Sequence, residues 1–314
     1  MSEMLSIIVP CYNEEEMLPV YFQEMEKVNL PISREYIFIN DGSEDNTLNE
    51  IKKLHKKGGS KVRFISFSRN FGKEAGIYAG LKAAKGDLVV LMDVDLQDPP
   101  EILPEMYNIL TKDNTYDCVG TRRVDRKGEP FIRSFFAKMF YRIINKISET
   151  EIVDGARDYR MMTRKMADAV LDITEYNRFS KGIFSWVGFE TKYIDFDNRK
   201  RKHGETTWSF WGLLKYSIEG IISYSTFPLT LVSILGVLIF ILSFIMAVIF
   251  SIRTIIFNNP VQGWTSLTVI ILGLGGIQLF ALGTIGQYLG KTFIETKNRP
   301  IFIIKETEDD IINL

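Results

Sequence analysis

The run Leu88-Val89-Val90-Leu91-Met92 leads straight into Asp93-Val94-Asp95-Leu96-Gln97-Asp98-Pro99-Pro100, and no other stretch constrains this chain as tightly. An apolar run without alternation reads as a strand covered on both faces, the setting of a parallel sheet between two layers of helices. Pro99 and Pro100 cannot continue such a strand. Period-2 geometry predicts that Asp93 and Asp95 point the same way, at the C-terminal rim where open α/β sheets bind ligands. Two carboxylates so placed repel unless a cation lies between them. A hard divalent ion that also meets a diphosphate is the natural partner. A plain strand end with two solvated acids reads the same way, because Asp-x-Asp is a short pattern.

The preceding residues set the architecture. Leu5–Pro10 predicts a first strand, and Asn13–Val28 a helix whose early acids suit the macrodipole. Glu35–Asn40 predicts a second strand running into Asp41-Gly42-Ser43, with Asp45 and Thr47 as caps for a helix through Leu54. Val62–Phe67 predicts a third strand, Ala75–Ala84 a third helix and Leu88–Met92 a fourth strand. Strict alternation implies a doubly wound, mostly parallel α/β sheet with helices on both faces. Neither a Gly-x-Gly-x-x-Gly nor a P-loop sequence occurs, so the usual dinucleotide and triphosphate fingerprints are missing.

With 314 residues the chain has room for one large domain or two smaller ones. A net charge of -1 gives no footing for nucleic acid. Cys11 and Cys118 are too few for a disulfide framework and read as buried, reduced thiols of a cytosolic compartment. No basic-then-apolar signal peptide opens the sequence.

The last third differs. Thr226–Ile252 and Thr265–Leu289 contain no Asp, Glu, Lys or Arg. A spanning helix needs about 20 apolar residues, so both predict transmembrane helices. Arg199, Lys200, Arg201, Lys202 and Lys215 precede the first, and Lys291, Lys297, Arg299 and Lys305 follow the second, while the loop between carries Arg253 alone. The positive-inside rule puts both termini and the catalytic part in the cytoplasm. Gly273, Gly275, Gly276, Gly283, Gly286 and Gly290 in the second span permit close packing within the hairpin or between subunits, which leaves room for a homo-oligomer.

Pro130–Ile147 is amphipathic. Ile132, Phe135, Phe136, Met139, Phe140, Ile143, Ile144 and Ile147 recur at helical spacing, with Arg133, Lys138, Arg142 and Lys146 between them. A core-facing helix explains the spacing; a helix in the headgroup region explains the spacing and the basic face together. Trp208–Lys215 reads as a second interfacial helix leading into the first span. His55 and His203 show no metal-ligand pairing, and no Ser-His-Asp arrangement can be assembled.

Taken in order, Val9-Pro10-Cys11-Tyr12-Asn13-Glu14, Asp41-Gly42-Ser43, Arg69-Asn70-Phe71-Gly72-Lys73 and Asp93-Val94-Asp95-Leu96-Gln97-Asp98-Pro99 resemble the inverting family 2 glycosyltransferases of GT-A fold. Gly120-Thr121-Arg122, Asp158-Tyr159-Arg160, Asn177-Arg178-Phe179 and Arg201-x-x-Gly204 narrow the resemblance to polyprenyl-phosphate glycosyltransferases, similar to the bactoprenol glucosyltransferases and, more distantly, the dolichol-phosphate mannose synthases. It covers residues 4 to 295, nearly the whole chain. Two departures stand out: Asn40 where many relatives carry a first Asp, and Thr206-Thr207 where many carry Ser-Lys.

The resemblance implies a metal site of Asp93, Asp95 and Gln97 for Mg2+ or Mn2+, and a nucleobase contact from Asp41, for which turn chemistry is the bland alternative. Pro10, Tyr12 and Glu14 line the same pocket, and Arg69, Lys73 and Asp93 meet the donor's diphosphate. Asp158, Asp93 and Asp95 are the catalytic candidates, with Asp158 acting either as a base or as a positioning group. A phosphate monoester has a second pKa of about 6, so it is already mostly a dianion at neutral pH and needs little help from a base. Arg122, Arg133 and Arg201 resemble acceptor-phosphate ligands, guanidinium being the bidentate partner of phosphate. The expected reaction moves glucose or a hexosamine from a UDP-sugar to undecaprenyl phosphate with inversion. The alternatives are a dolichol-phosphate-mannose-like synthase using GDP-mannose, and an inactive membrane scaffold. The domains expected are a nucleotide-sugar core over 1–125, an acceptor segment with interfacial helices over 126–225, the hairpin over 226–290 and a cytoplasmic tail over 291–314.

Overall fold

The alternation is realised in a computed structural model, which describes residues 4–112, 115–123, 153, 155–196, 227–257 and 263–312. β1 (Met4–Cys11), α1 (Met17–Lys27), β2 (Ser33–Asn40), α2 (Thr47–Gly58), β3 (Val62–Phe67), α3 (Lys73–Ala83), β4 (Leu88–Leu91) and α4 (Leu103–Lys112) follow one another. β5 (Cys118–Arg123), β6 (Ala156–Thr163), α5 (Arg164–Asp172), α6 (Ser180–Trp186) and β7 (Thr191–Phe196) come next. α7 (Phe227–Phe257) and α8 (Trp264–Thr296) are long apolar helices, and β8 (Ile304–Thr307) and α9 (Glu308–Ile312) end the chain.

The strand order is β7-β5-β6-β4-β1-β2-β3-β8. The pairs β1–β2, β1–β4, β2–β3 and β5–β7 are parallel, while β4–β6, β5–β6 and β3–β8 are antiparallel. Successive side chains of the central strands bury on opposite faces. Ile7, Val9, Phe38, Phe64 and Val90 pack with α1, α2 and α4; Ile8, Ile37, Ile39, Ile65, Val89 and Leu91 pack with α3, α5 and α6. Both faces are therefore dry, which is why these strands read as unbroken apolar runs. Each such Ile, Val or Phe removed from water contributes about 1.5–3 kcal/mol. Cys11 and Cys118 are free and buried, and burial pushes both thiols up.

Four features depart from the sequence expectation. Asn13–Glu16 is a loop rather than the first turn of α1, because Asn13 takes a left-handed φ of 55°. Its polar groups serve the opposite loop: Asn13 Oδ1 accepts from Glu44 N–H at 2.9 Å, and Glu15 Oε2 accepts from Asn46 N–H at 2.8 Å. Secondly, β4 stops at Leu91, and Val94 and Asp95 lie in a turn, so strand alternation does not govern where the two acids point. Thirdly, the division drawn after residue 125 falls between β5 and β6, which pair with each other. Fourthly, the segment read as a short tail folds back: β8 pairs with β3 and closes that edge of the sheet.

Among the described residues one stretch, Phe227–Met246 of α7, is long and apolar enough to cross a membrane on length and composition. α8 has 33 residues, and Thr265–Leu289 within it carries no Asp, Glu, Lys or Arg. A Cβ built on Gly273, Gly275, Gly276, Gly283, Gly286 or Gly290 meets nothing within 4 Å. The amphipathic stretch Pro130–Ile147, the Trp208–Lys215 stretch, Thr206-Thr207, Arg133 and Arg201 lie outside the described residues.

Candidate active site

Antiparallel register builds the site. β6 runs against β4 with Leu91 opposite Arg160. Two residues beyond that pair, one on each chain segment, are Asp93 and Asp158. α3 begins at Lys73, directly after Gly72, whose φ of 95° turns the loop from β3 into the helix. Lys73 Nζ fills the space between the two acids. It lies 2.8 Å from either oxygen of Asp93 and 2.8 Å from Asp158 Oδ2.

The three side chains are partly exposed, 42 % for Lys73, 32 % for Asp93 and 25 % for Asp158, so the cluster opens to the rim. Electrostatics outweigh desolvation here. Burial alone would raise Asp158, but Lys73, then Lys181, holds its carboxyl well below the usual carboxylate range. Burial likewise lowers Lys73, and Asp158 and Asp93 more than reverse this, keeping the amine firmly protonated. Glu74, the next residue of α3, faces Ser180 at the start of α6. Ser180 donates its backbone N–H at 2.9 Å and its hydroxyl to Glu74 Oε2.

Asp95 is buried and caps its own turn, accepting from Gln97 N–H at 3.1 Å. Leu96 between them has a φ of 55°, which a non-glycine residue adopts only under constraint. Arg157, beside Asp158 on β6, meets the residues that follow Leu96. It donates to Gln97 Oε1 at 3.1 Å and to Asp98 Oδ1 at 3.4 Å. Gln97 is thus differently placed from the metal-ligand expectation: a cationic guanidinium already holds its amide oxygen, and a metal ion there would be repelled. Asp98 is almost wholly buried. Burial, with Asp93 second, pushes its carboxyl up to about 7 against the pull of Arg157.

Asp41 is buried at the end of β2. Its two oxygens accept from Phe71 N–H at 2.6 Å and Gly72 N–H at 2.9 Å, so it grips the Arg69–Lys73 loop. Burial raises its carboxyl and the two N–H donors lower it. Asn40, in place of an acid, is buried and donates to Ser66 Oγ at 2.9 Å, while its Oδ1 accepts from Ser43 N–H at 3.2 Å. Arg69 lies over the Phe71 ring, 4.0 Å from its centroid. Pro10 packs near Gly76 of α3, Tyr12 is exposed at the end of β1, and Glu14 donates its backbone N–H to Thr47 Oγ1 at 2.8 Å. Arg122 is differently placed from the acceptor expectation: both arms of its fork meet Asp195, at 2.8 and 3.0 Å. Arg178 stacks over Tyr78 and bonds main-chain carbonyls, which makes it part of the packing.

The donor set can be tested for a cation. Asp93 and Asp95 offer hard oxygens, while the Asp93–Asp158 gap is taken by the Lys73 ammonium. Among the described residues no group of three or more His, Cys, Asp or Glu gathers as a closed metal cage. An ion of the Mg2+ type takes one or two carboxylates and draws its other ligands from water and substrate phosphates, a demand that Asp93 and Asp95 could meet. Arg157, Asp98 and Glu74 were not singled out from sequence. Arg157 gave one signal, its adjacency to Asp158; the partners of the other two lie far away in the chain, Arg157 for Asp98 and Ser180 for Glu74.

Residues 6–171 match the model of the family described as Glycosyl transferase family 2. The chain is 41% identical to the putative glycosyltransferase CsbB of Bacillus subtilis, over 96% of this chain and 92% of that protein. It is 40% identical to the SfII prophage-derived bactoprenol glucosyl transferase of Shigella flexneri, over 96% and 98% of the two chains. Identity to the prophage bactoprenol glucosyl transferase homolog of Escherichia coli is 40%, over 97% and 99%. The Asp93-x-Asp95 turn, the Lys73–Asp93–Asp158 cluster and these full-length likenesses converge, and the chain belongs to glycosyl transferase family 2.

Proposed function

We propose that this protein is an inverting, membrane-bound transferase that moves one glucose or hexosamine from a UDP-sugar to undecaprenyl phosphate. The observation that carries the reading is the Lys73–Asp93–Asp158 cluster beside the Asp95 turn at the open rim of the sheet. Bactoprenol glucosyl transferases at 40% identity over nearly the full chain support the acceptor class.

In the reaction an oxygen of the lipid phosphate attacks the anomeric carbon opposite the diphosphate. The new carbon–oxygen bond forms as the bond to UDP breaks, and the electron pair leaves on UDP. A divalent cation, Mg2+ or Mn2+, held by Asp93 and Asp95 would supply Lewis-acid neutralisation of that departing charge. Lys73 contributes a fixed positive charge at the same rim. Asp158, kept anionic by Lys73, is a weak base at neutral pH, because a useful base titrates near the working pH. Its role is to orient Lys73 and the sugar, while the phosphate dianion attacks without a base. Arg133 and Arg201 are proposed for the acceptor phosphate. Arg122 can join them only by exchanging Asp195 for the lipid phosphate.

A membrane hairpin is supported by parity. α7 and α8 lie between β7 and β8 in the chain, and both strands belong to one sheet. A sheet cannot straddle a bilayer, so the chain between those strands crosses an even number of times. If α7 crosses, α8 is its return. The Lys and Arg flanks then put the catalytic part and both termini on the cytoplasmic side. A donor screen tests the reading. Full-length protein with undecaprenyl phosphate is offered UDP-glucose, UDP-hexosamines and GDP-mannose, and sugar in the lipid extract is counted against nucleotide released. Stoichiometric transfer from a UDP-sugar is expected. Transfer from GDP-mannose alone, or from no donor, would refute it.

A further inference from the structure

The segment after α8 does more than close a sheet edge. Residues 297–300 separate α8 from a strap that starts at Ile301 and Phe302, both packed on the core beneath α3. Phe302 stacks on Phe67, the last residue of β3, with centroids 4.9 Å apart and planes 18° apart. Phe67 in turn meets Phe71 edge-on at 5.8 Å, and Phe71 carries Arg69 on its face. Ser68 N–H donates to Ile303 carbonyl at 2.9 Å. The far end of the strap is pinned too: Glu308 accepts from Arg63 Nε at 2.8 Å and from Phe64 N–H at 3.1 Å, and Lys52 meets Glu306 at 2.6 Å.

The loop 68–72 is thus held from two sides. Asp41 grips its backbone at Phe71 and Gly72, and the strap grips its start through Phe302 and Ile303. Lys73, the cation of the active-site cluster, is the next residue. α8 makes a contact of its own, as both oxygens of Glu295 accept from Tyr176 N–H, at 3.2 and 3.0 Å, four residues before the Ser180 that holds Glu74.

We propose that Phe302 is a positioning residue for the Arg69–Lys73 loop, so that donor affinity depends on the strap that emerges from the membrane-side helix. This rests on the reading of that loop as the donor diphosphate site. A packed aromatic chain transmits position because interiors are too dense to deform gradually. Removing the Phe302 ring leaves Phe67 and Phe71 without their support and lets Lys73 drift from Asp93 and Asp158.

The test uses the full chain in lipid nanodiscs, with UDP and Mn2+ as the binding probe and steady-state KM for both substrates. Phe302→Ala should weaken UDP binding and raise donor KM by at least about fivefold, the lower end of coupling between linked sites. Acceptor KM should stay within about twofold, since a uniform loss of packing would move both. Phe302→Tyr, which keeps the ring, should restore UDP affinity, and Lys305→Ala, exposed on the same strap, should change neither constant. If Phe302→Ala does not fold, Phe302→Leu against Phe302→Tyr makes the same comparison. Unchanged UDP affinity in Phe302→Ala, or in Phe302→Leu, while Lys73→Ala loses it, would overturn the inference and leave the donor site standing. Full UDP affinity in Lys73→Ala would remove the donor-site reading and this inference with it.

Discussion

Asp158 carries the sharpest question at the scale of single residues. A carboxylate that Lys73 holds ionised, far below the usual range, cannot gain a proton usefully at neutral pH. Asp158→Asn should therefore lower kcat on the order of 10- to 100-fold, the loss of one charged hydrogen bond, without abolishing turnover. Its rate profile between pH 5 and 8 should keep the wild-type ionisations; loss of one of them would make Asp158 a general base. Asp98 gives the opposite pH signature. Its folded value of about 7 lies above the unfolded value of about 3.9, so the folded chain holds a proton the unfolded chain has released. That stability is full below about pH 4 and is lost as pH rises through 7. Chemical denaturation of metal-free protein should show this decline in the wild type and a flatter profile in Asp98→Asn. Lys73, Asp93 and Asp158 were each legible in the sequence as candidates, from their types and motifs. Their mutual contact was not, because it arises from the antiparallel register of β4 and β6, which no local pattern encodes.

Among the elements, the strands were the most legible. β3 was read end to end as Val62–Phe67, and β4 within one residue, because burial on both faces leaves an unmistakable apolar run. Loops were harder. The acids of Asn13–Glu16 suggested a helix start, yet their hydrogen bonds go to the 44–47 loop, a partner about thirty residues away. β8 was invisible for a related reason: Ile304–Thr307 is short and mostly exposed, and only its pairing with β3 makes it a strand. Gly42 shows how closely the loops of the site approach. Its φ is 64°, and a Cβ there would come within 2.3 Å of Arg69 backbone carbon. Gly42→Ala should cost about 1–3 kcal/mol through overpacking and strain, read as a lower denaturation midpoint. It should also weaken donor binding, since the displaced backbone belongs to the Arg69–Lys73 loop. A midpoint equal to the wild type's would show that the loops lie further apart than described.

At the scale of the whole molecule, α7 and α8 join the sheet through two covalent passages, one before α7 and one after α8. Parity predicts that both passages lie on one side. Because the native cysteines are buried, single cysteines can report topology. An impermeant thiol reagent outside intact cells should label a cysteine placed within 258–262 and spare one placed at Asp310. Labelling of both, or of neither, would contradict the hairpin. The central claim is that the Asp93–Asp95 turn with Lys73 and Asp158 is a cation-assisted glycosyl transfer site. The most direct measurement is transfer of labelled glucose from UDP-glucose into extractable lipid, by wild type and Asp95→Ala in vesicles containing undecaprenyl phosphate. The wild type should lose transfer in chelator and regain it with Mg2+ or Mn2+. Asp95→Ala, folded by its melting curve, should stay at least about 100-fold lower at every cation concentration. Wild-type rates from Asp95→Ala in the presence of chelator would contradict the account.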